Sequence, residues 1–423
     1  MRVCMLTTGQ PSNNPRLVKE ADSLSAAGHE VHAIGMDGGL WPSQMDGPVM
    51  ARRSIVQQPW TFAYAGGLAG SQSALYRWTR LRYGLSRRLL PAAPELSILR
   101  KRALSRAAIE IAGAALRFPA DLYIAHHTSV LPCAVAAAAR HKGRVGYDAE
   151  DFYTGMWEPE TGPGPVDRVL ERIEERYLPH CDYMTAASPQ IADAYVSRFG
   201  VRRPVTVLNV FPIADRPPVF RPTPESGPLR LYWFSQCIGT QRGLEDVVRA
   251  MGLLPDCHFE LHLQGDWQSG YRDRLLGLAA ESGVDTGRVY AHEPSPPDDM
   301  VRRAAEYEIG LALEVSTIQN RAMCLTNKVF TCLLAGNAII GTTTPAQQAL
   351  LSNLAPAAVL YSNGDAAAMA AHLRRWHDDR RFLDAARRSA WALGERRYHW
   401  EFEQQYFLNA VDSACSTLCR TSA

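Results

Sequence analysis

Lysine is scarce: of the 45 basic residues, only Lys19, Lys101, Lys142 and Lys328 are lysines. Charge of one sign is barely in excess, at a formal net +2, which argues against the broad cationic surface of a general nucleic-acid binder. The nine cysteines are odd in number, scattered, and without Cys-x-x-Cys pairs or Cys/His zinc spacing. A disulfide framework and a structural zinc are therefore not expected, and a reducing cytoplasm fits. Long apolar runs are also missing. The longest, Leu131 to Ala139, is about half of a bilayer-spanning helix, so neither a signal peptide nor a transmembrane segment is expected. No His-Glu-x-x-His, Gly-x-Ser-x-Gly, Walker loop or dinucleotide triple glycine occurs, and no Asp-x-Asp offers a divalent ion a strand-end site.

What is present is enough chain for two cores: 423 residues, 46% of them hydrophobic. Six prolines between Pro212 and Pro228 mark a break where neither helix nor strand continues easily. The expected division is residues 1–211, a linker over 212–228, a second domain over 229–395, and a C-terminal helix over 396–423 packing back on the first. Within the first part, RVCMLTTG, HEVHAIG, DLYIAHH, GRVGYDAE and CDYMTAAS read as buried strands, with a helix between the first two that Gly28 closes. Within the second, LRLYWFS, HFELHLQG, RVYAHEP and EIGLALE alternate with helices in the same way. Both halves thus read as α/β, parallel and doubly wound, with ligands expected in a cleft at the carboxyl ends of the strands.

Several pieces point to chemistry. Arg242 and Gly243 precede a helix, where free amides and a cation grip a diphosphate. Leu325-Thr326-Asn327-Lys328 opens another helix, with Thr326 or Asn327 as its cap and Lys328 adding charge. His126 and His127 end a strand, and Glu150 and Asp151 follow the next, as acceptor-hydroxyl ligands or as an acid pair at a helix entry. Gly9 reads as a close-approach glycine, with Asn14 and Arg16 nearby for acceptor or phosphate. Between Arg77 and Arg117, ten basic residues against two acidic ones interleave with Trp78, Leu85 and Leu89. That segment is either a solvated arginine-rich face or a surface for anionic lipid at the inner face of a membrane.

Taken in order, SNNPRLVKEADSLSAAGHEV, DLYIAHH, YDAED, IGTQRGLE, NKVFTCLLAG and YHWEFEQQYF resemble the bacterial family 4 glycosyltransferases of the group 1 type, across nearly the whole chain. The resemblance implies a GT-B fold of two Rossmann-like domains facing across a cleft. It implies transfer of a sugar from a nucleotide diphospho-sugar to a glycan or lipid-linked acceptor, with retention, without metal and without a further cofactor. Arg242 then matches the basic residue that clasps the donor phosphates, and His126 the histidine beside the reacting sugar, with His127 on the acceptor side. Two features depart from the family. Gln236 replaces a second basic residue, and Met323 and Thr331 replace two glutamates on the donor side. Glu314 is either a stand-in for the first of those acids or a solvated strand-end charge. A nucleotide-sugar epimerase of the same fold, or a non-catalytic sugar-nucleotide-binding subunit, are the alternatives.

Overall fold

The computed structural model describes residues 1–39, 42–53, 59–69 and 73–416. The chain divides into two compact units, the first comprising Met1–Leu208, Ile318–Asn320 and Gln404–Ala423, the second Asn209–Thr317 and Arg321–Glu403. The main segment of the first unit thus ends at Leu208, against 211 in the expectation. The Pro-rich stretch belongs to the second unit, where Arg216 lies 3.6 Å over the Trp391 ring, the Phe220 ring is 5.7 Å from Trp391, and Thr223 N donates to Asp384 Oδ1 at 2.8 Å.

The first unit holds β1 (Arg2–Thr7), β2 (Glu30–Gly35), β3 (Thr61–Tyr64), β4 (Leu122–His126), β5 (Arg144–Ala149), β6 (Tyr183–Ala186) and β7 (Val205–Thr206). Their order is β3-β2-β1-β4-β5-β6-β7, and every pairing is parallel. Val3 to Leu6 are fully buried because helices cover both faces of a parallel sheet, which turns its strands into continuous apolar runs. Asn14 and Pro15 start the helix Pro15–Ala26, the Asn14 side chain accepting from Leu17 N. Gly28, with φ +85°, turns the chain out of it into β2.

The second unit holds β8 (Leu229–Ile238), β9 (Phe259–Trp267), β10 (Val289–His292), β11 (Ile309–Ala312), β12 (Ala338–Thr342) and β13 (Ala358–Tyr361), in the order β10-β9-β8-β11-β12-β13. These pairings are parallel too. Leu229, Leu231, Trp233, Leu261, Leu263, Ile309 and Ile340 fill one core beneath the helices Leu244–Gly252 and Ala366–Asp378. Each sheet therefore changes winding direction once, between β1 and β4 and between β8 and β11, and such points open a crevice at the strands' carboxyl ends.

Candidate functional site

Four ionisable side chains meet inside the first unit. The Arg16 guanidinium donates to Asp148 through Nε at 2.7 Å and Nη2 at 2.8 Å, and to the Val207 carbonyl through Nη1 at 2.6 Å. Thr185 Oγ1 donates to the same carboxylate at 2.6 Å. His126 stands between two carboxylates, 3.3 Å from Glu20 Oε2 and 3.3 Å from Asp148 Oδ2, with side-chain exposures of 1% or less throughout. Burial would lower the imidazole, but Glu20 and Asp148 outweigh it and raise it to about 10, so His126 carries a proton. Burial acts against the Asp148 carboxylate as well, and Arg16 and His126 nonetheless hold it well below its usual range.

This arrangement corrects three expectations. Arg16 is 0% exposed and serves the sheet's own carboxylate instead of an acceptor or phosphate. Asn14 caps the helix and reaches Thr7 Oγ1 at 3.4 Å, so its amide works within the fold. His126 has both ring nitrogens against carboxylates in the interior, which removes it from direct contact with a sugar. The Glu20, His126 and Asp148 atoms are spaced closely enough for a metal ion, but the bidentate Arg16 guanidinium already satisfies Asp148.

Beside the β1–β4 switch the side chains that remain at the strand ends are different ones. His127 is part-exposed and has φ +122°, a conformation L-residues rarely adopt and one that clusters at functional sites. Ser129 N donates to its Nδ1 at 3.0 Å, which leaves the proton of the neutral ring on Nε2. Burial lowers the ring to about 4, so it is neutral near pH 7, and Tyr153 packs on it at 4.4 Å between centroids. One strand further, Glu150 is pushed up to about 7 by burial, then by Asp151 and Asp148. Asn320 Nδ2 donates to Asp151 Oδ1 at 2.8 Å, and its Oδ1 accepts from Phe152 N at 2.7 Å. Gly9 is a close-approach glycine of the fold itself, because a Cβ on it would stand 2.8 Å from Asn13 Oδ1.

In the second unit the loop after β8 carries Gln241 at φ +58° and Gly243 at φ +74° into the helix Leu244–Gly252, which has no side-chain cap. Arg242 is part-exposed. Burial lowers it, Arg321 lowers it further, and Glu314 opposes both. It makes no hydrogen bond or ion pair among the described residues. At the end of β11, Glu314 Oε1 accepts from Lys328 Nζ at 2.7 Å, and despite the cost of burial this pairing keeps the carboxyl below its usual range. Thr326 occupies the cap position of the helix Asn327–Ala335, with no side-chain cap bond. That leaves the backbone amides of this first turn, Asn327 included, without an intrahelical acceptor. Thr331 is 0% exposed, one turn into the core, so its side chain is not placed to touch a donor.

Two polar residues beside these groups belong to no motif of the sequence, Asn320 and Arg321, both in the short helix Gln319–Met323. Arg321 Nη1 donates to the Gln241 carbonyl at 2.8 Å, beside Arg242.

No protein-family model matches the sequence, and no curated protein matches it either. Solved structures do. An Anabaena HepE structure in complex with UDP and glucose aligns with a TM-score of 0.67 at 15% identity, covering 98% of this chain and 100% of the other. A glycosyltransferase from Rickettsia africae aligns at 0.66 and 9%, covering 98% of each chain. Sucrose-phosphate synthase from Thermosynechococcus elongatus aligns at 0.66 and 14%, covering 96% and 97%. Two parallel, doubly wound units matched along nearly their full length give this chain the GT-B glycosyltransferase fold.

Proposed function

We propose that the chain is a glycosyltransferase that moves a sugar from a nucleotide diphospho-sugar to a glycan or lipid-linked acceptor, with retention and without a metal ion. The observation that carries this reading is Arg242: a cation with no hydrogen-bond or ion-pair partner among the described residues, at the uncapped start of a helix, in the switch loop of the second unit. Amides and a guanidinium so placed suit the charge that builds on a diphosphate as its bond to the anomeric carbon breaks. Lys328 stands at the other uncapped helix start, held by Glu314, and adds donor protons there. That the HepE structure holds UDP and glucose is in keeping with a nucleotide-sugar donor.

In the first unit, His127 replaces His126 in the role of sugar-hydroxyl contact, because it is the part-exposed ring of the two and its Nε2 carries a proton to donate. Glu150 and Asp151 orient the acceptor hydroxyls. On a retaining course the acceptor attacks from the face the diphosphate leaves, and that phosphate takes the acceptor's proton, so no protein nucleophile is needed. Incubation with radiolabelled nucleotide sugars tests the reading. A transferase releases nucleoside diphosphate and labels an acceptor, an epimerase changes only the sugar, and a binding subunit changes neither.

The acceptor proposal extends to a membrane surface. On the helix Ala74–Leu89 the inward positions carry Thr79 and Ser86, whereas Leu75, Trp78, Leu81, Leu85 and Leu89 are 45% to 65% exposed. Leu96 and Ile98 continue the apolar strip, and Arg77, Arg80, Arg87, Arg88 and Lys101 are exposed beside it. Apolar residues flanked by cations on an outward face suit a surface of anionic lipid. No helix among the described residues is long and apolar enough to cross a membrane.

A further inference from the structure

We propose that Arg321 is the second cation of the diphosphate site, gripping with Arg242 the two phosphates of a nucleoside diphosphate; this rests on reading the second unit as the donor-binding half. Arg321 follows β11 and Arg242 follows β8, the two strands that flank the switch point of this sheet. The Arg321 guanidinium reaches the backbone next to Arg242, Nη1 donating to the carbonyl of Gln241, the residue before it, at 2.8 Å. The left-handed turn at Gln241, φ +58°, is part of what brings that carbonyl within reach.

Neither arginine forms an ion pair among the described residues. The remaining charges nearby are already matched, Lys328 Nζ with Glu314 Oε1 at 2.7 Å. Two guanidiniums in one neighbourhood, neither in an ion pair among the described residues, repel one another: burial lowers Arg242 first, and Arg321 lowers it further. A ligand bearing two or more negative charges converts that repulsion into binding. Three cations less one carboxylate leave a surplus of two, which matches the charge of the diphosphate diester in a nucleotide diphospho-sugar, and a nucleoside diphosphate carries at least that charge. Planar guanidinium forks also suit a phosphate bidentately, and two of them suit a bridged pair better than a single phosphate. Arg321 therefore does what the residue at Gln236 does not: Gln236 is exposed and uncharged. The cation stands in the short helix after β11 and not at Gln236 near the end of β8, with the same carboxyl edge of the sheet beneath it.

The test is calorimetric binding of UDP, GDP, their monophosphates and inorganic pyrophosphate to the full chain, for wild type, Arg321→Ala, Arg321→Lys, Arg242→Ala and the double alanine variant. Arg321 is part-exposed, so unfolding midpoints of the variants should stay close to wild type. Arg321→Ala should weaken whichever nucleoside diphosphate the wild type binds by about tenfold to a hundredfold, and its monophosphate by less than about threefold. Arg321→Lys should recover part of the loss, and the two alanine substitutions should be non-additive. Unchanged diphosphate affinity in Arg321→Ala overturns the assignment. So does an equal loss for diphosphate and monophosphate, which marks Arg321 as a prop for the loop. If the wild type binds neither nucleoside diphosphate nor pyrophosphate, the donor reading of the unit itself falls.

Discussion

Lys328 and Glu314 meet inside the second unit, Nζ 2.7 Å from Oε1, with side-chain exposures of 8% and 5%. A buried pair of this kind is asymmetric. Deleting one partner strands the other, whereas replacing both with neutral groups of similar size removes the problem. Lys328→Ala should therefore destabilise the chain by about 3–5 kcal/mol in denaturant titration, and Lys328→Met with Glu314→Gln should recover most of it. A loss in the double variant equal to the sum of the losses of Lys328→Met and Glu314→Gln alone would show that the pair is not energetically coupled. Since Glu314 is held below its ordinary value, its contribution is present above about pH 4.5 and disappears as pH falls.

His126 should give the first unit the opposite dependence. Its folded value is raised to about 10 from an ordinary 6.5, so the stability it lends is complete below about pH 6.5 and is lost as pH rises toward 10. Thermal midpoints measured from pH 7 to 10 should decline in wild type and flatten in His126→Gln. A wild-type midpoint that holds steady to pH 10 would mean that the imidazole is not charged in its carboxylate sandwich.

His127 sets stability against activity. Its φ of +122° is one glycine adopts freely, so His127→Gly should relieve about 1–3 kcal/mol of backbone strain, less whatever the lost packing on Tyr153 costs. Turnover should nevertheless fall by tenfold or more, with donor affinity nearly unchanged, because a hydroxyl contact at the reacting centre acts chiefly in the transition state. Full turnover in His127→Gly would leave the strain without a catalytic purpose.

Release of nucleoside diphosphate should continue in excess chelator, since the charge on the leaving group is assigned to Arg242, Lys328 and backbone amides. Losing the Arg242 guanidinium removes charge-assisted bonds worth roughly 1.5–3 kcal/mol, so Arg242→Ala should slow transfer by about tenfold to more than a hundredfold. Activity abolished by chelator and restored by magnesium is the result that would sink a metal-free mechanism.

Cosedimentation with anionic vesicles addresses the helix Ala74–Leu89. Binding should weaken with salt, because each exposed arginine contributes up to about 1 kcal/mol before screening. It should weaken again in Trp78→Gln/Leu81→Gln/Leu85→Gln, whose side chains are 55% to 65% exposed in the wild type and carry little of the fold. Attachment that ignores both changes belongs to some other surface.

The sequence by itself determined the fold class and nine of the strands, leaving β3, β7, β12 and β13 unread. β1, β4 and β11 are short apolar runs that bury both faces, and that pattern is legible because parallel sheets have helices on both sides. It determined a helix end as well, since Gly28 adopts a φ of +85°, which few other residues tolerate. What only the tertiary structure decided is which of the singled-out polar residues are available to a ligand. Arg16 and Asp148 are 132 positions apart, and no local pattern says that they meet, so Arg16 and His126 read as site residues until a buried carboxylate claims them. The choice between His126 and His127 turns on the alternation of side chains across a strand and on one unusual φ, neither of which leaves a trace in a doubled histidine. Arg321 escaped notice for a similar reason. A cation's role depends on which charges surround it, and those are assembled from loops 80 residues apart by the sheet beneath them.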